Sequence, residues 1–173
     1  MKGVIPDCLE KLVKSKFGKD KWEDSLEAVE LPRHTSFLAT EDIPDEAVLK
    51  VVGSVCKVLN ITLPQAADAF GDFWVNDYAP KIYNVYYQQS NSAKEFLLNM
   101  DNVHNIVTQN IPNAHPPRFT YNWENDKTLV MTYNSSRGLI DFLVGLIKGV
   151  GKYYKEDLQV TKLGNDEVQI IFS

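Results

Sequence analysis

Two groups of side chains, about thirty residues apart, have the types and spacing to do chemistry. The first is His104, on a stripe with Leu97, Met100 and Val107. Those positions fall at i, i+3, i+7 and i+10 of a helix, so the imidazole points with the apolar side chains. An imidazole so placed is suited to a metal in an apolar cavity, and haem iron is commonly held by a histidine. A core histidine with a satisfied hydrogen bond has the same signature. The second group is Tyr133-x-Ser135-x-Arg137, closing an expected strand. Alternation along a strand puts the three on one side. A phenol, a hydroxyl and a planar guanidinium make a fork suited to carboxylates. A strand end with a surface arginine has the same pattern. An axial imidazole with a carboxylate clamp is what a haem and its two propionates require.

The elements that must position these groups follow from periodicity. Helices are expected over 4–17, 20–30 and 45–59. Thr62-Leu63-Pro64-Gln65 and Ser92-Ala93-Lys94-Glu95 have capping-box spacing. The first opens a helix to about Asp77, and the second opens the helix bearing His104, which ends before Pro112. Residues 82–87 fit helix or strand equally. Asn113-Ala114-His115-Pro116-Pro117 makes a stiff, extended link. The period then changes to strands at 118–123 and 128–134, a helix over 138–153, and strands at 157–163 and 167–172. The fold class is α+β, with a helical part over about 1–60 and a sheet-bearing part over about 61–173. The four strands should form one antiparallel sheet.

At 173 residues the chain can bury a sizeable single-domain core. The net charge of -5 argues against nucleic acid as a partner. No apolar run is long enough to span a bilayer. Asp7 and Glu10 arrive too early for a signal peptide. A cytoplasmic protein with no membrane partner is therefore expected. Cys8 and Cys56 form no C-x-x-C, which excludes a zinc ribbon and thioether haem attachment. Both sit among apolar helical residues, as buried inert thiols do.

Over essentially its whole length the chain resembles the H-NOX haem domains (haem–nitric oxide/oxygen binding), bacterial relatives of the sensor domain of soluble guanylate cyclase. The resemblance is carried by Met1-Lys2-Gly3, Phe70-Gly71-Asp72-Phe73-Trp74, Met100-x-x-x-His104 and the link ending at Pro117. It continues through Tyr133-x-Ser135-x-Arg137 and the helix containing Gly145. It implies a noncovalent haem b between the helical and sheet-bearing parts, with His104 as proximal ligand. Tyr133, Ser135 and Arg137 would bind the propionates, and Pro117 would press on the porphyrin. Ile5, Leu9, Trp74, Val75, Tyr78, Met100, Val103, Phe142, Leu146 and Val150 would be pocket residues, although each also fits plain core packing.

Family members that hold oxygen stably have a tyrosine five residues after the clamp arginine. Here that position is Phe142, and another position of their polar network is Leu9. Neither side chain donates a hydrogen bond, so the resemblance implies preference for NO, and CO, over oxygen. Trp74 and Tyr78, one turn apart, are the remaining donors that the iron-bound gas could meet. Signalling would follow release of His104 and a shift between the two parts. With no output segment in these residues, the signal would pass to a separate effector protein, a histidine kinase or a cyclic-dinucleotide enzyme. Other classes are a haem-free module binding another apolar ligand, an enzyme, and a redox sensor through Cys8 or Cys56. The enzyme class lacks any G-x-S-x-G, H-E-x-x-H or P-loop, and its acids are expected at the surface.

Overall fold

The computed structural model describes all 173 residues and contains seven α-helices and four strands. The first part comprises α1 (Val4–Phe17), α2 (Lys19–Glu27) and α3 (Asp45–Leu59). Next come α4 (Leu63–Phe73), a π-helical turn (Trp74–Tyr78), α5 (Pro80–Gln88) and α6 (Ala93–Thr108). The chain closes with β1 (Arg118–Trp123), β2 (Thr128–Asn134), α7 (Ile140–Tyr154), β3 (Leu158–Lys162) and β4 (Glu167–Phe172). It forms two compact units, Met1–Ala66 and Ala67–Ser173, with the division inside α4.

In the first unit α1, α2 and α3 bury Cys8, Leu12, Val13, Trp22, Leu26, Val48, Val51 and Val55. The buried Ser54 hydroxyl donates to the Ser25 carbonyl at 2.7 Å, tying α3 to α2. Glu10, expected at the surface with the other acids, is instead buried and paired with Lys14 at 2.6 Å. It lies on the side of α1 that carries Leu9 and Val13, so helix geometry takes it inward.

The second unit is built on an antiparallel sheet of order β1-β2-β4-β3. Leu129, Met131, Val168 and Ile170 are fully buried at its centre. α6 brings Phe96 and Leu97 to this core, and α7 brings Leu143, Ile147 and Val150. α4 and α7 approach backbone to backbone. A Cβ on Gly71 would overlap the backbone of Gly145, and one on Gly145 would overlap that of Ala67.

Both helix starts are capped, at Thr62 as a full capping box and at Ser92 with the Glu95 carboxylate turned to the Asn91 N–H instead. The Thr62 N–H donates to Gln65 Oε1 at 2.8 Å, and the Glu95 N–H donates to Ser92 Oγ at 3.1 Å. Three expectations are sharpened by the structure. Regular α-geometry stops at Phe73 rather than near Asp77, and the chain widens so that the Ala79 N–H bonds the Trp74 carbonyl at 2.8 Å. The ambiguous stretch 82–87 is helical, within α5. The strand carrying Tyr133 ends at Asn134, as its spacing predicts, but the chain then turns through Ser136 and Arg137 instead of staying extended to Arg137. Strand alternation therefore does not set the direction of Arg137. No single helix is long and apolar enough to cross a membrane.

Candidate functional site

The two motifs that stand about thirty residues apart in sequence meet through the link between α6 and β1. His104 Nδ1 lies 3.1 Å from the Pro117 carbonyl oxygen. A carbonyl can only accept, so Nδ1 carries the proton and Nε2 keeps its lone pair. Burial pushes the imidazole below its ordinary pKa, against the raising effect of the Pro117 carbonyl and Asp101. His104 is thus a neutral imidazole with one oriented nitrogen and one available for ligation. Two residues upstream in the same link, the His115 carbonyl accepts from Arg137 Nη1. Ligand candidate and clamp candidate are thereby fastened to one five-residue segment.

Rings complete the connection. The Phe119 ring lies 5.3 Å from His104 and 6.2 Å from Tyr133, centroid to centroid. Tyr133 is buried at the end of β2, where its N–H donates to the Asp166 carbonyl at 2.6 Å. Ser135 begins the turn, and its Oγ accepts from the Arg137 N–H at 3.4 Å. The imidazole and the guanidinium are both held by this link, with the Tyr133 ring beside Phe119 and Ser135 bonded to Arg137, and these donor types fit an iron porphyrin with two carboxylates.

α6 is held to β1 one turn before His104. Arg118 grips Asp101 with both arms, Nε to Oδ1 at 2.7 Å and Nη2 to Oδ2 at 2.6 Å. The Phe119 N–H adds a third bond to Oδ1 at 2.8 Å. This clamp, led by the Arg118 hydrogen bonds, pulls the Asp101 pKa down to about 2. The opposite charges are visible in the sequence, but their pairing needs the register of α6 on β1.

The remaining pocket candidates of the second unit separate into two sets. Trp74, Tyr78 and Phe142 join Phe70 in an aromatic stack: Trp74 faces Tyr78 at 5.4 Å and Phe70 at 5.8 Å. Phe142 meets Phe70 edge-on at 5.2 Å. Val75 and Val150 belong to the main core, with Met100 and Leu146 packed against it. Val103 is also buried. Asn76, not singled out in the sequence, fastens the π-turn: its amide donates to the Asp72 carbonyl at 3.1 Å and to the Gly149 carbonyl of α7 at 3.2 Å. Ile5 and Leu9 belong to α1 of the first unit, where Leu9 is buried and Ile5 half-buried.

Comparison with known proteins decides the family. The model of the haem-NO-binding family matches residues 2–162. The chain belongs to that family. Its members, the H-NOX domains, are haem-based gas sensors related to soluble guanylate cyclase. Among curated relatives, "Soluble guanylate cyclase gcy-34" of Caenorhabditis elegans is 28% identical over 157 residues, 88% of this chain and 23% of the relative. "Soluble guanylate cyclase gcy-32" of the same organism is 27% identical over 157 residues, again 88% of this chain and 23% of the relative. The chain thus spans about a quarter of the length of these relatives. Two solved H-NOX structures share the fold at 25% identity, each covering 100% of this chain and 95% of their own. One is an oxygen-binding H-NOX domain in its oxygen complex, with a TM-score of 0.83. The other comes from work on haem distortion in the H-NOX family, with a TM-score of 0.86.

Proposed function

We propose that this H-NOX domain is a gas sensor that takes NO, and CO, at a ferrous haem b in preference to oxygen. The observation that supports the reading is the His104–Pro117 hydrogen bond, which orients the ring and leaves Nε2 unprotonated, as an iron ligand would need. His104 would hold the iron noncovalently, while Tyr133, Ser135 and Arg137 would hold the propionates. Pro117 would press on the porphyrin, with Trp74, Val75, Tyr78, Met100, Val103, Phe142, Leu146 and Val150 as the pocket residues of this unit. When bound, the haem supplies an open iron coordination position for a diatomic gas. No three His, Cys, Asp or Glu side chains come together as a chelate, so His104 acts alone, which suits an iron already held by a porphyrin.

Selectivity rests on what the chain does not offer the gas. Phe142 and Leu9 have no donor. A hydrogen bond to the charged outer oxygen of bound dioxygen is worth roughly 1.5–3 kcal/mol, about tenfold to a hundredfold in affinity. NO gains most of its affinity from the iron bond itself, so an apolar wall costs it little. Trp74 and Tyr78 lie ring against ring in the stack, a packing role that each ring fills without its donor.

Output would begin with release of His104, which loosens α6 from the link that Pro117 anchors. The change would pass to a separate effector protein, a histidine kinase or a cyclic-dinucleotide enzyme, in the cytoplasm. The domain itself would catalyse nothing. A redox switch has less support, because burial raises the Cys56 thiol pKa and Cys8 is fully enclosed.

The test is the visible spectrum of the ferrous protein without gas, with NO and in air. The proposal expects a haem spectrum that changes with NO and forms no stable complex with oxygen. A stable oxygen complex would place a donor from Trp74 or Tyr78 at the gas and end the selectivity argument. Failure to take up haem would point to a haem-free module for another apolar ligand.

A further inference from the structure

The turn of α6 just before His104 carries a contact from the sheet inside its own hydrogen-bond ladder. In an α-helix the Leu97 carbonyl takes its bond from the Asp101 N–H, four residues on. Tyr121 of β1 reaches this rung. Its hydroxyl donates to the Leu97 carbonyl at 2.8 Å and lies 3.4 Å from the Asp101 N–H, which donates to it. One hydroxyl therefore serves both partners of a single rung, as a phenol with one proton and two lone pairs can.

The phenol is placed there firmly. Tyr121 pairs across the ladder with Met131, which is fully buried in the sheet. Burial raises the phenol pKa to about 12, so the hydroxyl keeps the proton that it donates. The rung and the imidazole share one stripe of α6, since Leu97, Asp101 and His104 stand at i, i+4 and i+7. Less than one turn of continuous helix separates Asp101 from His104.

We propose that Tyr121 is a positioning residue for His104. Its hydroxyl on the Leu97–Asp101 rung sets the pose of the turn that presents the imidazole, and so how strongly His104 holds iron and how readily it lets go. This rests on His104 being the haem ligand. Truncation to phenylalanine removes the hydroxyl's two bonds to the rung and re-aims Nε2. The ring stays, and the Arg118 and Phe119 bonds to the Asp101 carboxylate keep α6 on the sheet.

The experiment compares haem-loaded wild type, Tyr121→Phe and Tyr154→Phe. Tyr154 is the control: its hydroxyl also donates to a carbonyl, that of Tyr87 at 2.9 Å, but between α7 and α5. The readouts are the iron–histidine stretching band of the ferrous protein and the fraction of the NO complex that has lost His104. Tyr121→Phe is expected to retain haem, shift the band beyond any shift in Tyr154→Phe, and change that fraction. If Tyr121→Phe loads haem and matches the control in both readouts, its role is structural only and the proposal is overturned. If wild type shows no iron–histidine band, the ligand assignment fails first and the proposal falls with it.

Discussion

Two seams of the second unit are built by opposite means. Between α6 and β1, polar groups meet at defined angles: Asp101 with Arg118 and the Phe119 N–H, Tyr121 with the Leu97–Asp101 rung, and His104 with Pro117. Between α4, the π-turn and α7, contact is mainly by shape, with the Asn76–Gly149 hydrogen bond as the part-buried polar exception. Glycine backbones touch, and Phe70, Trp74, Tyr78 and Phe142 stack. Hydrogen bonds are directional and break singly, which suits the aimed and releasable ligand proposed for His104. Close packing resists small displacements, which suits a wall whose work is exclusion. Even the paired charges across the second seam, Lys148 with Asp68 and Lys152 with Asp72, are exposed and worth little.

The hardest way to break this contrast is to force the packed seam apart. Gly145→Val would drive a side chain into the Ala67 backbone. The expected cost is about 3 kcal/mol or more, seen as a lower denaturant midpoint or as failure to fold. Giving the wall a polar tip should instead change function at little cost in fold. Phe142→Tyr is expected to raise oxygen affinity by about tenfold to a hundredfold if its phenol reaches the gas. An air spectrum identical to that of wild type would show that Phe142 does not face the ligand.

On the polar seam, Asp101→Asn should destabilise by roughly 1–2 kcal/mol at neutral pH, by analogy with other charged hydrogen bonds. The sign follows from the depressed pKa of about 2. Stability supplied by this carboxylate is intact above its unfolded pKa near 4 and is lost as pH falls through about 2. The gap between wild type and variant should therefore close on acidification, as read by unfolding curves from pH 7 to pH 2. A gap independent of pH would mean that the ionised pair is not what stabilises the seam. The smallest effect is expected at the helix cap away from both seams. Ser92→Ala should cost about 1 kcal/mol in melting experiments and leave the haem spectrum unchanged.

Much of this was legible in the chain because it is local. The α6 stripe through Leu97, Met100 and His104, the two helix caps and the four strands follow from spacing alone. What stayed hidden depends on register or on a local turn. Arg118 and Tyr121 meet Asp101 only once β1 lies on α6 in a particular register, which no periodicity encodes. The direction of Arg137 is set by the turn at Ser136 and Arg137 beyond the strand's end, where alternation no longer applies. The π-turn at Trp74 keeps the apolar pattern of an ordinary helix, and its anchor Asn76 reaches 73 residues forward to Gly149. Gly71 and Gly145 look like unrelated helix-weakening residues until their backbones are seen to touch.

The most direct measurement is ferrous haem ligation in His104→Gly, with and without added imidazole. The lone Nε2 of His104 predicts that the variant loses the iron–histidine band and that free imidazole restores it in the vacated space. An unchanged band in His104→Gly would mean that another residue holds the iron and would contradict the assignment of the site.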